Sequence, residues 1–270
     1  MTVMNPTRIG AIALRQFYLF RGSVTRTVPL FVWVAIDIVL WGFITKYLNT
    51  VTSAGFDFVP VLLGAVLLWD FFQRVMQGVT MAFFEDVWSR NFLNLFASPL
   101  TIGEYVTGLV ATSVVTSAVG LVAMIVMASV FFGLSFLSYG AALGAFVFVL
   151  FLFGIALGIT ACAIVLRFGP AAEWFIWPIP GILSPFAGVF YPVATLPRWM
   201  QGIAFILPPS HVFEGLRAIV TGGTVAADRL ATATALSVGC LLLASWTFRR
   251  VYGRAVRTGL IARYSAETLS

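Results

Sequence analysis

Apolar residues fall along this chain in blocks about twenty residues long, parted by short polar stretches. A helix rises about 1.5 Å per residue, so such a block is long enough to cross a hydrocarbon layer of about 30 Å. Six blocks meet that length, at 28–48, 60–81, 106–132, 141–166, 172–191 and 229–248. The expectation is an all-α membrane protein of six transmembrane helices forming one transmembrane domain over residues 1–270. The fourth block carries Gly140, Gly144, Gly154, Gly158 and Cys162 at four-residue steps within each group, a small-residue ridge suited to close helix packing. The fifth is interrupted by Pro178, Pro180 and Pro185.

Three stretches break the pattern. Residues 6–24 (PTRIGAIALRQFYLFRGSV) read as an amphipathic helix, with Ile9, Ile12, Ala13 and Phe20 on one side and Arg8, Arg15 and Arg21 apart from them. A helix of that kind rests in the membrane interface with its arginines near anionic headgroups. Residues 83–97 are the most polar internal stretch, yet keep Phe84, Trp88 and Phe92 at helical spacing, and Ser98-Pro99 stops them. Residues 197–221 contain two helices too short to span, parted by Pro208-Pro209. They read as a re-entrant hairpin, which a membrane tolerates only where protein or a watery cavity covers it.

Composition supports the membrane reading. Of 270 residues 60% are hydrophobic and 10% charged, against the roughly 25% charged of an ordinary soluble domain. The net charge of +6 comes almost wholly from arginines gathered near the two chain ends beside apolar blocks. That is the positive-inside pattern and not a nucleic-acid footprint. It places both termini in the cytoplasm, and an even number of spans follows. No signal peptide is read in the first residues, where Arg8, Arg15, Arg21 and Arg26 leave no room for an apolar core.

Catalytic chemistry is thin. The chain has no GxxxxGK[ST], HExxH or GxSxG motif, and Lys46 is its one lysine. Nucleotide hydrolysis within the chain is therefore not expected, nor is a membrane-embedded enzyme with a convergent nucleophile and base. His211 reads as a helix-start residue, and Cys162 and Cys240 as small core residues. No metal or cofactor site is expected. The charges inside the apolar blocks demand partners. Asp37 lies ten residues into the first; Asp70 and Arg74 share one helical face of the second. The depths of Asp37 and Arg74 match, which allows an interhelical pair, with Asp70 on Arg74's own helix face as the other partner; the three form a polar patch that is either structural or on a transport path. A proton- or ion-coupled carrier or channel using Asp37, Asp70 and Arg74 is the alternative this patch allows. It would normally show internal repeats, and none is seen.

Two motifs resemble a known family. LNLFASPLTIGEYVTG, ending at Gly108, is similar to the LExLLxSPLxxxxxxxG pattern of ABC-2 type exporter permeases. GVFYPVATLPRWMQGIAFILPPSHVFEGLRAIV, residues 188–220, resembles that family's signature between its fifth and sixth spans. The usual glutamate before the paired leucines is missing here, where Phe92, Leu93 and Asn94 precede Leu95. The resemblance implies the permease subunit of an ATP-driven exporter in a bacterial inner membrane. Such a subunit pairs with a second permease copy and docks on two separate ATP-binding subunits that hold ATP and magnesium. It implies a coupling helix at 83–97 contacting the ATPase through Phe84, Glu85, Asp86, Trp88, Arg90 and Phe92. It also implies an outer gate region around Tyr191, Pro192, Glu214 and Arg217. Aromatic anchors beside an arginine suit such a protein contact on physical grounds as well.

Overall fold

The computed structural model describes residues 4–51, 59–89, 94–95, 98–224 and 226–259, and every regular element among them is helical. In chain order these are α1 (Pro6–Arg21), α2 (Val24–Val51), α3 (Gly64–Trp88), α4 (Ile102–Phe132), α5 (Gly140–Phe168), α6 (Ile179–Ala187), α7 (Arg198–Ile206), α8 (Pro208–Val220) and α9 (Ala227–Arg257). Local signals start several of them. Asn5 caps α1 by accepting from the Thr7 amide at 2.9 Å, and Pro6 supplies the first helical residue. Thr101 and Glu104 form a reciprocal capping box at the head of α4. Gly133, in the left-handed region at φ 67°, ends α4.

α3 is the axis of the fold. Of its 25 residues 17 are buried, and it is gripped on two sides. Against α4, Gly78 lets the backbones approach so closely that a Cβ there would lie 2.7 Å from Ser113 Oγ. The Ser113 hydroxyl in turn donates to the Val75 carbonyl at 2.9 Å. Against α5, Gly154 and Gly158 leave room for Val75 and Val79, whose Cβ atoms would stand 2.9 Å from any added Cβ. The ridge expected on α5 therefore works as a packing face at Gly154, Gly158 and buried Cys162. Gly140 and Gly144 meet nothing there. α9 lies along the far side of α5, where Ser237 donates to the Val149 carbonyl at 3.2 Å.

The chain runs between two ends of this bundle. At one end α1 lies against the last turns of α3 and the first turns of α4. At the other, α8 packs on the head of α3, with Leu216 near Gly64 and Phe213 beside Trp69 at 6.0 Å between centroids.

Among the described residues, four helical stretches are long and apolar enough to cross a membrane by length and composition: Phe31–Val51, Ile102–Phe132, Gly140–Phe168 and Ala227–Arg257. A fifth is reached if the bent pair Arg198–Ile206 and Pro208–Val220 counts as one span. The expected count of six is not met by that measure, for two physical reasons. The first is that α3, long enough at 25 residues, carries Asp70, Gln73, Arg74 and Gln77 on its apolar run. Its neighbours, not lipid, cover most of its surface. The second is that residues 172–191 are not one helix. Pro170–Phe175 is a 3-10 turn, and α6 has nine residues before Gly188 turns the chain at φ 60°. Nine residues reach about 14 Å, half a hydrocarbon layer. The pair α7 and α8 is bent by 99° at the expected Pro-Pro break.

α3 also departs from expectation at its far end. It does not stop near Met81 but continues to Trp88, so residues 83–88 are its last turns and not the start of a separate helix.

Candidate functional site

Functional side chains gather at three levels along α3. At the α1 end, Asp86 is fully buried and accepts from three donors. Arg15 reaches it with both terminal nitrogens, one at 3.1 Å, and the Tyr105 hydroxyl donates at 2.8 Å. The bidentate bond and charge of Asp86 tighten the hold of Arg15 on its proton. A second carboxylate works beside it. Glu104, also buried, accepts from the backbone amides of Thr101 and Asn5 at 2.9 and 2.8 Å and pairs with Arg8 at 3.5 Å. α1 is thus fastened to α3 and α4 by two ion pairs and by Ile12 seated over Gly108, where a Cβ would come within 2.6 Å of the isoleucine.

This changes the reading of α1. Its Arg15 turns towards α3 and its partly exposed Arg8 towards the head of α4, while Leu14, Phe17 and Tyr18 stand outward. The expected ATPase-contact residues divide as well. Phe84 and Asp86 are turned into the interior, so neither offers a surface to a partner in this conformation. Trp88 is half exposed and packs tilted against Phe84 at 5.7 Å between centroids, and Glu85 is partly exposed. Arg90 and Phe92 lie outside the described residues.

At mid-height the buried charges meet. Arg74 Nε donates to Asp70 Oδ2 at 2.9 Å, one turn away on its own helix. Asp37 stands on α2 within the electrostatic field of both, while the ion pair seen for Arg74 is the one within α3. Helix geometry favours the pair within α3. A four-residue step brings Asp70 to Arg74 without either side chain leaving α3. A partner on α2 would also have to match in azimuth, and depth-matching says nothing of that. The arginine's methylene stem lies over Gly120 of α4 at 3.2 Å from where a Cβ would stand.

At the α8 end Glu214 and Arg217 pair and hold the loop that carries Tyr191 and Pro192. Glu214 Oε1 accepts from the Val193 amide and from Arg217, each at 2.8 Å. Arg217 also donates to the Val189 carbonyl at 3.4 Å. The Tyr191 hydroxyl reaches back to the Pro185 carbonyl at 3.0 Å, and Pro192 leads into the turn Val193–Thr195. Gly188 allows this approach: a Cβ there would meet Tyr191 O and Val193 Cγ2 at 3.0 Å. Phe190 continues the loop towards α2 and stacks flat on Trp41 at 4.9 Å. His211 bonds the Phe205 carbonyl at 2.9 Å across the hairpin break, a structural place.

Sequence reasoning missed Arg15, Tyr105, Glu104 and Arg8 as parts of one cluster. The T-x-x-E of Thr101 and Glu104 was a readable cap, but nothing local announces that a residue near position 15 will meet one near 86.

A family model described as ABC-2 type transporter matches residues 7–221. The matched region covers all three clusters. No curated protein matches the chain.

Proposed function

The chain belongs to the ABC-2 type transporter family, and from that membership we propose that it is the permease subunit of an ATP-driven exporter. The family is one of transmembrane permeases, not enzymes, and the chain is a multi-pass membrane protein. On our reading it moves a hydrophobic, lipid-linked or polysaccharide substrate out of the cytoplasm or inner leaflet of a bacterial inner membrane by alternating access. It works with a second permease copy, and two separate ATP-binding subunits hold the ATP and magnesium.

The observation that carries the proposal is the match over residues 7–221. The path of the chain supports the rest. α2, α3, α4, α5, the broken stretch up to residue 193, and α9 each lead from one end of the bundle to the other. Counted so, our reading has six crossings, with the start of α1 and the end of α9 at the same end of the bundle. The arginines there favour the cytoplasm, which leaves the Glu214–Arg217 clamp outside.

The ATP-binding subunit then meets the α1 end, at the tip of α3 and the segment after it. Of the expected contact aromatics, Trp88 is the described one that is exposed to it. The two ion pairs from α1 make this end one rigid unit, so a push on the tip of α3 is carried to α1 and α4 together. The test is Trp88→Asp, purified with the ATP-binding subunits co-expressed. We expect association to weaken by about 2 kcal/mol or more while the permease stays inserted. Undiminished association and transport would remove Trp88 from the contact.

A further inference from the structure

From the C-terminal end of α9 we infer that Arg250, Arg254 and Arg257 form a docking stripe for the phosphate headgroups of anionic phospholipids. At 100° per residue, these three side chains fall in the same angular sector as Leu242, Leu243 and Trp246. That sector lies opposite the buried face of Ala233, Ser237, Ala244, Phe248 and Ala255. The apolar part of the stripe is exposed and belongs to a stretch apolar enough to span a membrane, so lipid is its surrounding. The arginines continue that lipid-facing stripe past Trp246, the residue type that marks the membrane interface. The Arg250 guanidinium lies over the Trp246 ring at 4.7 Å, which fixes the join between the apolar and the basic parts.

Charge balance identifies the occupant. α9 and α5 both start at the α8 end and pack side by side, so the arginines emerge at the end where α1 lies. The buried carboxylates of that end are already engaged, Asp86 by Arg15 and Glu104 by Arg8. Among the described residues no carboxylate lies within ion-pair distance of Arg250, Arg254 or Arg257. Three guanidiniums in one sector, spread over about 10 Å of helix axis, form a fork array that matches phosphate oxygens and reaches the headgroup level on long stems. The inference goes beyond the transport reading and does not depend on it; it requires only that α9 spans a membrane.

The test uses the full chain in detergent micelles with bound lipid counted by native mass spectrometry. The probes are phosphatidylglycerol and phosphatidylcholine of identical acyl chains. We expect the protein to retain phosphatidylglycerol preferentially. Arg250→Gln, Arg254→Gln and Arg257→Gln together should lower that preference by about a hundredfold, about fivefold for each arginine. Lysine at all three positions should keep most of it, and about 0.5 M salt should erode it. Equal retention of both lipids by the unaltered protein would overturn the inference. So would a preference untouched by the triple glutamine variant, or inorganic phosphate displacing the lipid at equal concentration. If the variant instead loses its ATP-binding subunits and keeps its lipid preference, the stripe is a protein contact and the inference fails, with the transport reading intact.

Discussion

The two ends of α3 are held by different means. At the α1 end the fastening is side chain to side chain across long stretches of sequence: Arg15 to Asp86 and Arg8 to Glu104. At the α8 end the acid and base are neighbours on one helix, Glu214 and Arg217, and they hold backbone: the Val193 amide and the Val189 carbonyl. The Tyr139 hydroxyl does the same, donating to the Pro60 carbonyl at 2.7 Å. A long-range ion-pair latch joins separate rigid helices into one unit. A local pair clamped on backbone shapes a loop and leaves the helices around it independent. The first arrangement suits an end that receives force, the second an end where an irregular segment must keep its form at the membrane surface.

The largest effect should come from the latch. Arg15→Ala leaves the fully buried Asp86 with one phenol as partner, and breaking a buried pair from one side costs about 3 kcal/mol. Thermal unfolding in detergent should show it. The double variant Arg15→Ala with Asp86→Ala should lose less than the sum of the single losses, the sign of a direct pair. If Arg15→Ala melts like the unaltered protein, α1 is not latched and the contrast between the ends collapses.

Glu214→Ala should cost somewhat less, about 2 kcal/mol, since it removes two charge-assisted hydrogen bonds at a partly exposed site. Its effect should also be local. Hydrogen exchange at the Val193 amide should rise sharply while amides of α1 stay protected. Equal loosening at both ends would mean that the clamp is coupled to the latch and the two ends are one unit.

The smallest effects lie between the ends. A double-mutant cycle on Asp70 and Arg74 should give a coupling of about 1 kcal/mol, and the cycle on Asp37 and Arg74 clearly less. A larger coupling for Asp37 would show that the interhelical pair forms in the working protein after all.

Much of this was readable from sequence, and what was not has a common cause. The apolar blocks gave the helices, the prolines at 208–209 gave the 99° bend, and the 188–220 motif held the Glu214 and Arg217 that form the clamp. Glu214 and Arg217 sit three residues apart on one helix, so their pairing is a local fact. α3 is the instructive failure. Its polar turn at 83–88 looked like a surface helix because Glu85, Asp86 and Ser89 follow an apolar run. The missing knowledge was that Arg15, 71 positions away, supplies the counter-charge that lets Asp86 be buried. The fifth block failed differently. Its residues are apolar enough to span, but Pro178 sits at the break before α6 and Gly188, in the left-handed region, ends α6, and composition does not count hydrogen bonds.

The central claim is that the latched end faces the cytoplasm and the clamped end faces outward. Cysteine labelling in whole cells tests it most directly. In a background carrying Cys162→Ala and Cys240→Ala, Ser89→Cys marks the tip of α3 and Thr224→Cys the turn after α8, both exposed positions. With a membrane-impermeant maleimide, the account predicts that Thr224→Cys is labelled in intact cells and Ser89→Cys only after lysis. Labelling of Ser89→Cys in intact cells, with Thr224→Cys protected, would contradict it.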